Sequence, residues 1–248
     1  MMKKSLFILG LVLAFMSQTQ AKVLDVSYKV SFGILGEMGI SDAHLETKGD
    51  TYTIDIKVKA TGLAKTLSKN RKERHISKGH IVKGMYIADT YKVIKSYGKK
   101  YIEKLYIIDH KKKTVKKEYL SKKNGNIQKE EHSMLDFYSK NDLLTLYFNL
   151  PKMIKDRSKA GTYEFSAVGA ERQNGLVKVR IPTIKGMKNY KETLGKGDYW
   201  YLTAIIYQKI FASNKGELML AVGKDGVAEK AVLKDLIMFG DLVAERIK

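Results

Sequence analysis

Side chains able to hold an ion or attack a substrate are sparse in this chain. It has no cysteine, which excludes disulfides, thiolate catalysis and cysteine-based metal sites. Five histidines remain, His44, His75, His80, His110 and His132, and none stands at H-x-H, H-x-x-x-H or H-E-x-x-H spacing. Those are the patterns that set two imidazoles beside one ion. His75 and His80 are five apart, which on a strand directs them to opposite faces. A zinc site would have to assemble through space; the five read as solvent-exposed loop residues, with no metal and no cofactor expected. Glu130 and Glu131 could pose as paired carboxylates, but neighbours on a strand point apart.

Two further stretches mimic catalytic or nucleotide-binding motifs and fail on context. "GISDA", Gly39 to Ala43, resembles the nucleophile elbow G-x-S-x-G with alanine in the last place. An elbow needs a strand-to-helix turn, whereas Ser41 opens a strand whose partner begins ten residues later. "VSFGILGEMG" sets Gly33, Gly36 and Gly39 at intervals of three, where a dinucleotide loop requires G-x-G-x-x-G before a helix. Another strand follows instead, so no helix N-terminus awaits a phosphate. In "GHIVKGM", Met85 occupies the place of the Walker lysine. The glycines are expected to bend a strand sharply into the next. Nothing amounts to a catalytic signature, and no enzyme is expected.

The elements that would position any site are mostly strands. Val26, Tyr28, Val30 and Phe32 alternate with polar residues, as do Tyr52, Ile54, Ile56 and Val58. This period of two marks half-buried antiparallel strands. Gly39 to Thr47 lies between them as a third strand, and "KGD" at Lys48 to Asp50 makes the hairpin turn. The pattern recurs to the end of the chain as a long meander. "NDLLTLYFNLP" breaks it, with Leu143, Leu146, Tyr147 and Leu150 at i, i+3, i+4 and i+7. Asn141 or Asp142 is the expected N-cap and Pro151 the stop of this short amphipathic helix, with a weak continuation to Asp156. The fold class is mainly β (α+β): a large curved antiparallel sheet or incomplete β-barrel with one or two short packing helices.

Lys3 and Lys4, the apolar run Leu6 to Phe15 and the small residues Thr19 and Ala21 form a secretory signal peptide, residues 1–21, cleaved after Ala21. Residues 22–248 are then expected as one periplasmic domain, with no cysteine for a lipid anchor. The net charge of +20 falls to +18 without Lys3 and Lys4. Lys65 to Lys129 carries 18 Lys and 2 Arg against 5 acids, a net of +15. Export argues against nucleic acid as the partner and favours lipid headgroups or other envelope polyanions. A lysine-rich solvated surface explains the same residues without any partner.

"YKVSFGILGEMG", "DTYTIDIKVKATGLAKTLS", "SKGHIVKGMYIADTY", the helix "NDLLTLYFNLP" and "GELMLAVGKDGVAEKAVLKDLIMFGD" together resemble the exported bacterial family called domain of unknown function 3108. The resemblance spans nearly the whole mature chain. It implies a periplasmic, half-barrel-like sheet, related in shape to the carriers of lipoprotein sorting, and it supplies no catalytic residues. The expected function is non-enzymatic binding of a lipid, acyl chain or lipoprotein on a concave sheet face. Tyr28, Val30, Phe32, Tyr52, Ile54 and Ile56 are the candidate lining, and Leu143, Leu146, Tyr147 and Leu150 the candidate lid or plug. Lys111, Lys112, Lys113, Lys116 and Lys117 are the candidate anion contacts, expected at the rim. The alternative is an envelope structural or interaction module with a filled core, docking on lipopolysaccharide or a membrane protein through its basic face.

Overall fold

The structure, a computed structural model, describes residues 21–33, 36–170, 172–207, 216–234 and 241–248. The expected signal peptide lies outside the described residues except for Ala21, as do parts of the last expected strands. Strands β1 (Lys22–Phe32), β2 (Glu37–Lys48) and β3 (Thr51–Ala60) are followed by helix α1 (Gly62–Leu67). Strands β4 (Lys72–Val82), β5 (Met85–Tyr97), β6 (Lys100–Asp109), β7 (Thr114–Lys123) and β8 (Asn126–Met134) complete a first meander. Helix α2 (Leu143–Met153) leads to β9 (Gly161–Ser166), β10 (Leu176–Ile181), helix α3 (Met187–Leu194) and β11 (Trp200–Ile206). Strands β12 (Gly216–Val222), β13 (Ala228–Leu233) and β14 (Leu242–Arg246) close the order.

Among the described residues all fourteen strands join one sheet in the order β8-β7-β6-β5-β4-β3-β2-β1-β14-β13-β12-β11-β10-β9. Neighbouring strands run antiparallel, including β1 against β14, where Val30 faces Ala244. The first and last strands therefore meet in the middle, and the sheet stays open at β8 and β9. Those two edges are the strands flanking α2 in sequence. The chain leaves one edge, runs along α2, and re-enters at the other, where a single parallel bridge ties Asp142 to Val168.

Side chains of α2 reach both halves. Leu146 and Leu150 pack with Val177 and Val179 of β10, Leu202 of β11 and Leu220 of β12. Leu144 packs with the cluster of Tyr91, Tyr106 and Val115, and with Phe148 it also meets Leu45, Tyr52 and Ile54. One helix of about three turns can touch strands that far apart in the order only if the sheet curls around it. The glycines on either side of the β1–β2 connection answer backbone needs. Gly33 and Gly36 adopt positive φ (44° and 68°), and a Cβ on Gly39 would fall 2.5 Å from the Lys59 carbonyl oxygen. Pairing with β2 also slips between Val30 and Ser31.

Three short helices form among the described residues. One expectation for α2 is corrected: Pro151 lies inside the helix instead of ending it. Proline forfeits the bond from its own position to residue 147 and its ring crowds that carbonyl, but its fixed φ suits a helix and it stands two residues before the end. The Ile154 N–H still reaches the Leu150 carbonyl at 2.9 Å, and the helix ends at Met153, short of Asp156. At the other end Asp142 is the N-cap. Its Oδ1 accepts from the N–H groups of Leu144 and Thr145, both at 2.8 Å, while the Thr145 hydroxyl accepts from the Asp142 N–H at 2.8 Å. This reciprocal box satisfies orphan donors of the first turn. No helix among the described residues is long and apolar enough to cross a membrane.

Candidate functional site

Beneath α2, between the two meanders, the sheet leaves a cavity of about 410 Å³. Leu24, Val26 and Tyr28 of β1, Ala43 and Leu45 of β2, and Ile54 and Ile56 of β3 form one wall. Val177, Val179, Ala204, Leu218, Leu220, Ala231 and Ala244 form the other, and Leu143, Leu146, Tyr147, Phe148 and Leu150 of α2 form the roof. Polar atoms are few. Ser41 and His44 line it, and His44 Nδ1 lies 2.7 Å from Asp25 Oδ1. The Tyr147 hydroxyl donates to the Gly226 carbonyl at 3.0 Å. Burial pushes the Tyr28 hydroxyl up to about 12, with nearby Arg246 pulling it down and Glu229 and Asp225 adding to the rise. Arg246 itself is paired to Asp225 and Glu229 at 2.6 and 2.7 Å. An environment this apolar suits a hydrocarbon chain.

Seven of the ten expected lining residues meet here: Tyr28, Ile54, Ile56, Leu143, Leu146, Tyr147 and Leu150. Three do not. Val30 is buried in the centre of the sheet between its partners Gly39 and Ala244. Phe32 lies past the register slip, at the end of β1. Tyr52 is absorbed into the adjoining core, edge-on to Tyr86 at 5.0 Å, with its hydroxyl 3.0 Å from Ser77 Oγ.

The lysines do not form a rim. Lys111, Lys112 and Lys113 are exposed on the β6–β7 turn, and Lys116 and Lys117 lie on β7, four places along the sheet from β3. Lys116 pairs with Glu118 at 2.7 Å, and Lys117 sits over the Tyr106 ring at 5.8 Å. The cavity wall is built from β1–β3 and β10–β14, so the basic strands occupy a separate wing of the molecule.

The histidines also differ from expectation. His44, His75, His80 and His132 lie in strands and only His110 in a turn. His80 and His110 converge on Asp89 of β5, a group that sequence spacing cannot show because it joins two strands and a turn. The available signal was Gly79, a glycine inside a regular strand and adjacent to His80, which marks a bulge.

At the roof's N-terminus, Asp142 has no exposed surface, and its Oδ2 has no hydrogen-bond partner among the described residues. Burial pushes its carboxyl up to about 6, against the pull of the nearby Ser77 hydroxyl and of the N–H groups that it caps. A raised folded-state value means the folded protein holds the proton more tightly than the unfolded one. The contribution of Asp142 to stability is therefore fully present below about pH 4 and declines as pH rises to about 6. Asp142→Asn keeps a capping acceptor and removes the ionisation. Relative to wild type, it is expected to flatten this decline and add about 1–3 kcal/mol at pH 7, measured by urea unfolding at pH 4, 5, 6 and 7. An unchanged slope would place the ionisation elsewhere.

The comparisons bear on the fold. No family model matches the chain, and no curated protein matches it. Among solved structures it is similar to a β-barrel-like protein of domain of unknown function DUF1849 from Brucella abortus, with a TM-score of 0.51 at 8% identity. The match covers 90% of this chain and 95% of that one. The chain thus has a β-barrel-like architecture shared with a protein of unknown function, in the form of an open sheet.

Proposed function

We propose that this is a non-enzymatic periplasmic binding protein whose cavity beneath α2 holds the acyl chain of a lipid or lipoprotein. The observation that carries this reading is an apolar cavity of about 410 Å³ walled in part by alanines, Ala43, Ala204, Ala228, Ala231 and Ala244. Larger side chains at those five positions would fill the space, so small ones there suit a protein that keeps it for a guest. The volume falls within the range of small-molecule sites. Residues 1–21 supply the export signal for this reading, and the motifs resembling domain of unknown function 3108 point the same way.

A second contact is supported by the basic wing. The exposed Lys111–Lys113 turn, remote from the cavity, suits peripheral contact with anionic headgroups or lipopolysaccharide. A fluorescent fatty acid tests the main reading. Saturable uptake of one probe per chain with a Kd of roughly micromolar order, displaced by unlabelled fatty acid, is expected; no saturable uptake would overturn it.

A further inference from the structure

Away from the cavity, three side chains from different segments meet at one point. His80 Nδ1 lies 3.0 and 3.1 Å from the two carboxylate oxygens of Asp89, and His110 Nε2 lies 3.1 Å from Asp89 Oδ1. The candidate ligand atoms all fall within 4.8 Å of one another, and the imidazoles stand edge to face at 5.6 Å. The cluster is partly open, with side-chain exposures of 38% for His80, 47% for Asp89 and 26% for His110.

The backbone is shaped to bring them together. Pairing between β4 and β5 steps from Lys78↔Thr90 to Gly79↔Ala88, which leaves Asp89 as the extra residue of a bulge. Bulges re-aim a side chain, and this one turns Asp89 toward both histidines. Only glycine fits opposite it, because a Cβ on Gly79 would fall 2.0 Å from the Ile87 carbonyl oxygen and 2.9 Å from the Asp89 nitrogen. His110 is held by a turn in which Asp109 Oδ1 accepts from the N–H groups of Lys111 and Lys112 at 3.0 and 2.9 Å. Its far nitrogen, Nδ1, is 2.9 Å from the Tyr138 hydroxyl. The segment carrying Tyr138 is fixed by Ser139 Oγ donating to the Ser166 carbonyl and by the Ala88 N–H donating to the Lys140 carbonyl.

We propose that His80, Asp89 and His110 form a binding site for a divalent first-row transition ion, for which zinc is the fitting probe. Two imidazoles and one carboxylate are a donor set such ions accept. Ligand atoms bound at about 2.0–2.2 Å stand roughly 3–3.6 Å apart, so small rotations suffice to admit the ion. Binding requires a bare Nε2 on His110, with its proton on Nδ1. The Tyr138 hydroxyl can then accept from Nδ1–H, where before it could donate to a bare Nδ1. Tyr138 is thus the positioning residue that accommodates either tautomer. Three protein ligands leave one position for water or an outside ligand. None of the three residues lines the cavity, so the site does not depend on the acyl-chain reading.

Calorimetric titration of untagged, chelator-treated protein with zinc chloride alone tests this. One ion per chain is expected, and His80→Ala, His110→Ala and Asp89→Asn should each weaken binding at least 100-fold. Tyr138→Phe retains all three ligands and should weaken it by about 10–100-fold while the melting temperature of the metal-free protein stays within about 1 °C of wild type. His44→Ala is the control, since His44 also contacts a carboxylate but has no second histidine beside it, and it should change nothing. Absence of 1:1 binding, unchanged binding in His80→Ala and His110→Ala, or an equal loss in His44→Ala would overturn the proposal.

Discussion

Replacing Ala43 and Ala231 together with phenylalanine is expected to reduce fatty-acid uptake at least 100-fold without lowering the melting temperature. Both alanines face the cavity, one from β2 and one from β13. Two added rings occupy space that the guest needs, and they bury new apolar surface. Filling an existing void commonly stabilises a protein, whereas forcing bulk into a packed core costs about 1–3 kcal/mol. Uptake and melting temperature measured on the same samples separate the two cases. Full uptake at unchanged stability would show that the guest sits somewhere else.

Asn149→Ala is expected to be the most destabilising single change in the roof, at about 3–5 kcal/mol. Asn149 has no exposed surface, and its amide is matched on every side. Oδ1 accepts from the Tyr86 N–H at 2.9 Å, while Nδ2 donates to the Tyr86 carbonyl and to Asn141 Oδ1, both at 2.8 Å. The side chain thus pairs with Tyr86 as a neighbouring strand would, and it fastens α2 to the start of β5. Truncation leaves two backbone groups of the part-buried Tyr86 and the buried Asn141 oxygen without these partners. Urea unfolding monitored by circular dichroism gives the loss, and acyl-chain binding should weaken with it because the same helix roofs the cavity. A loss below about 1 kcal/mol would mean that water reaches Tyr86 and that α2 is held by apolar contacts alone.

Much of this architecture was legible in the residues, for a physical reason. The two-residue alternation of Val26 to Phe32 and Tyr52 to Val58 marks strands, and the 3.6-residue stripe of Leu143, Leu146, Tyr147 and Leu150 marks α2. Each pattern also identifies the apolar face, which is why Tyr28, Ile54, Ile56 and the α2 stripe reach the cavity. Pairing order is not written in such patterns. The contact of β1 with β14 joins residues over 200 positions apart, so the second wall, with Val177, Val179, Leu218 and Leu220, stayed hidden. Tyr52 was misassigned because an inward-facing residue can pack into core as readily as line a void. Lysine position failed for the same reason as the histidine cluster. Lys111–Lys117 and His80–Asp89–His110 are placed by strand order, register and a bulge, none of which a linear spacing records.

The measurement closest to the central claim is native mass spectrometry of untagged protein purified from its own cells under mild conditions. Wild-type protein is expected to carry an added mass corresponding to an acyl-chain lipid, released by organic solvent, with the Ala43→Phe, Ala231→Phe variant at its bare polypeptide mass. A bare wild-type mass together with no fatty-acid uptake by the same preparation would contradict the claim that the cavity beneath α2 is a lipid site.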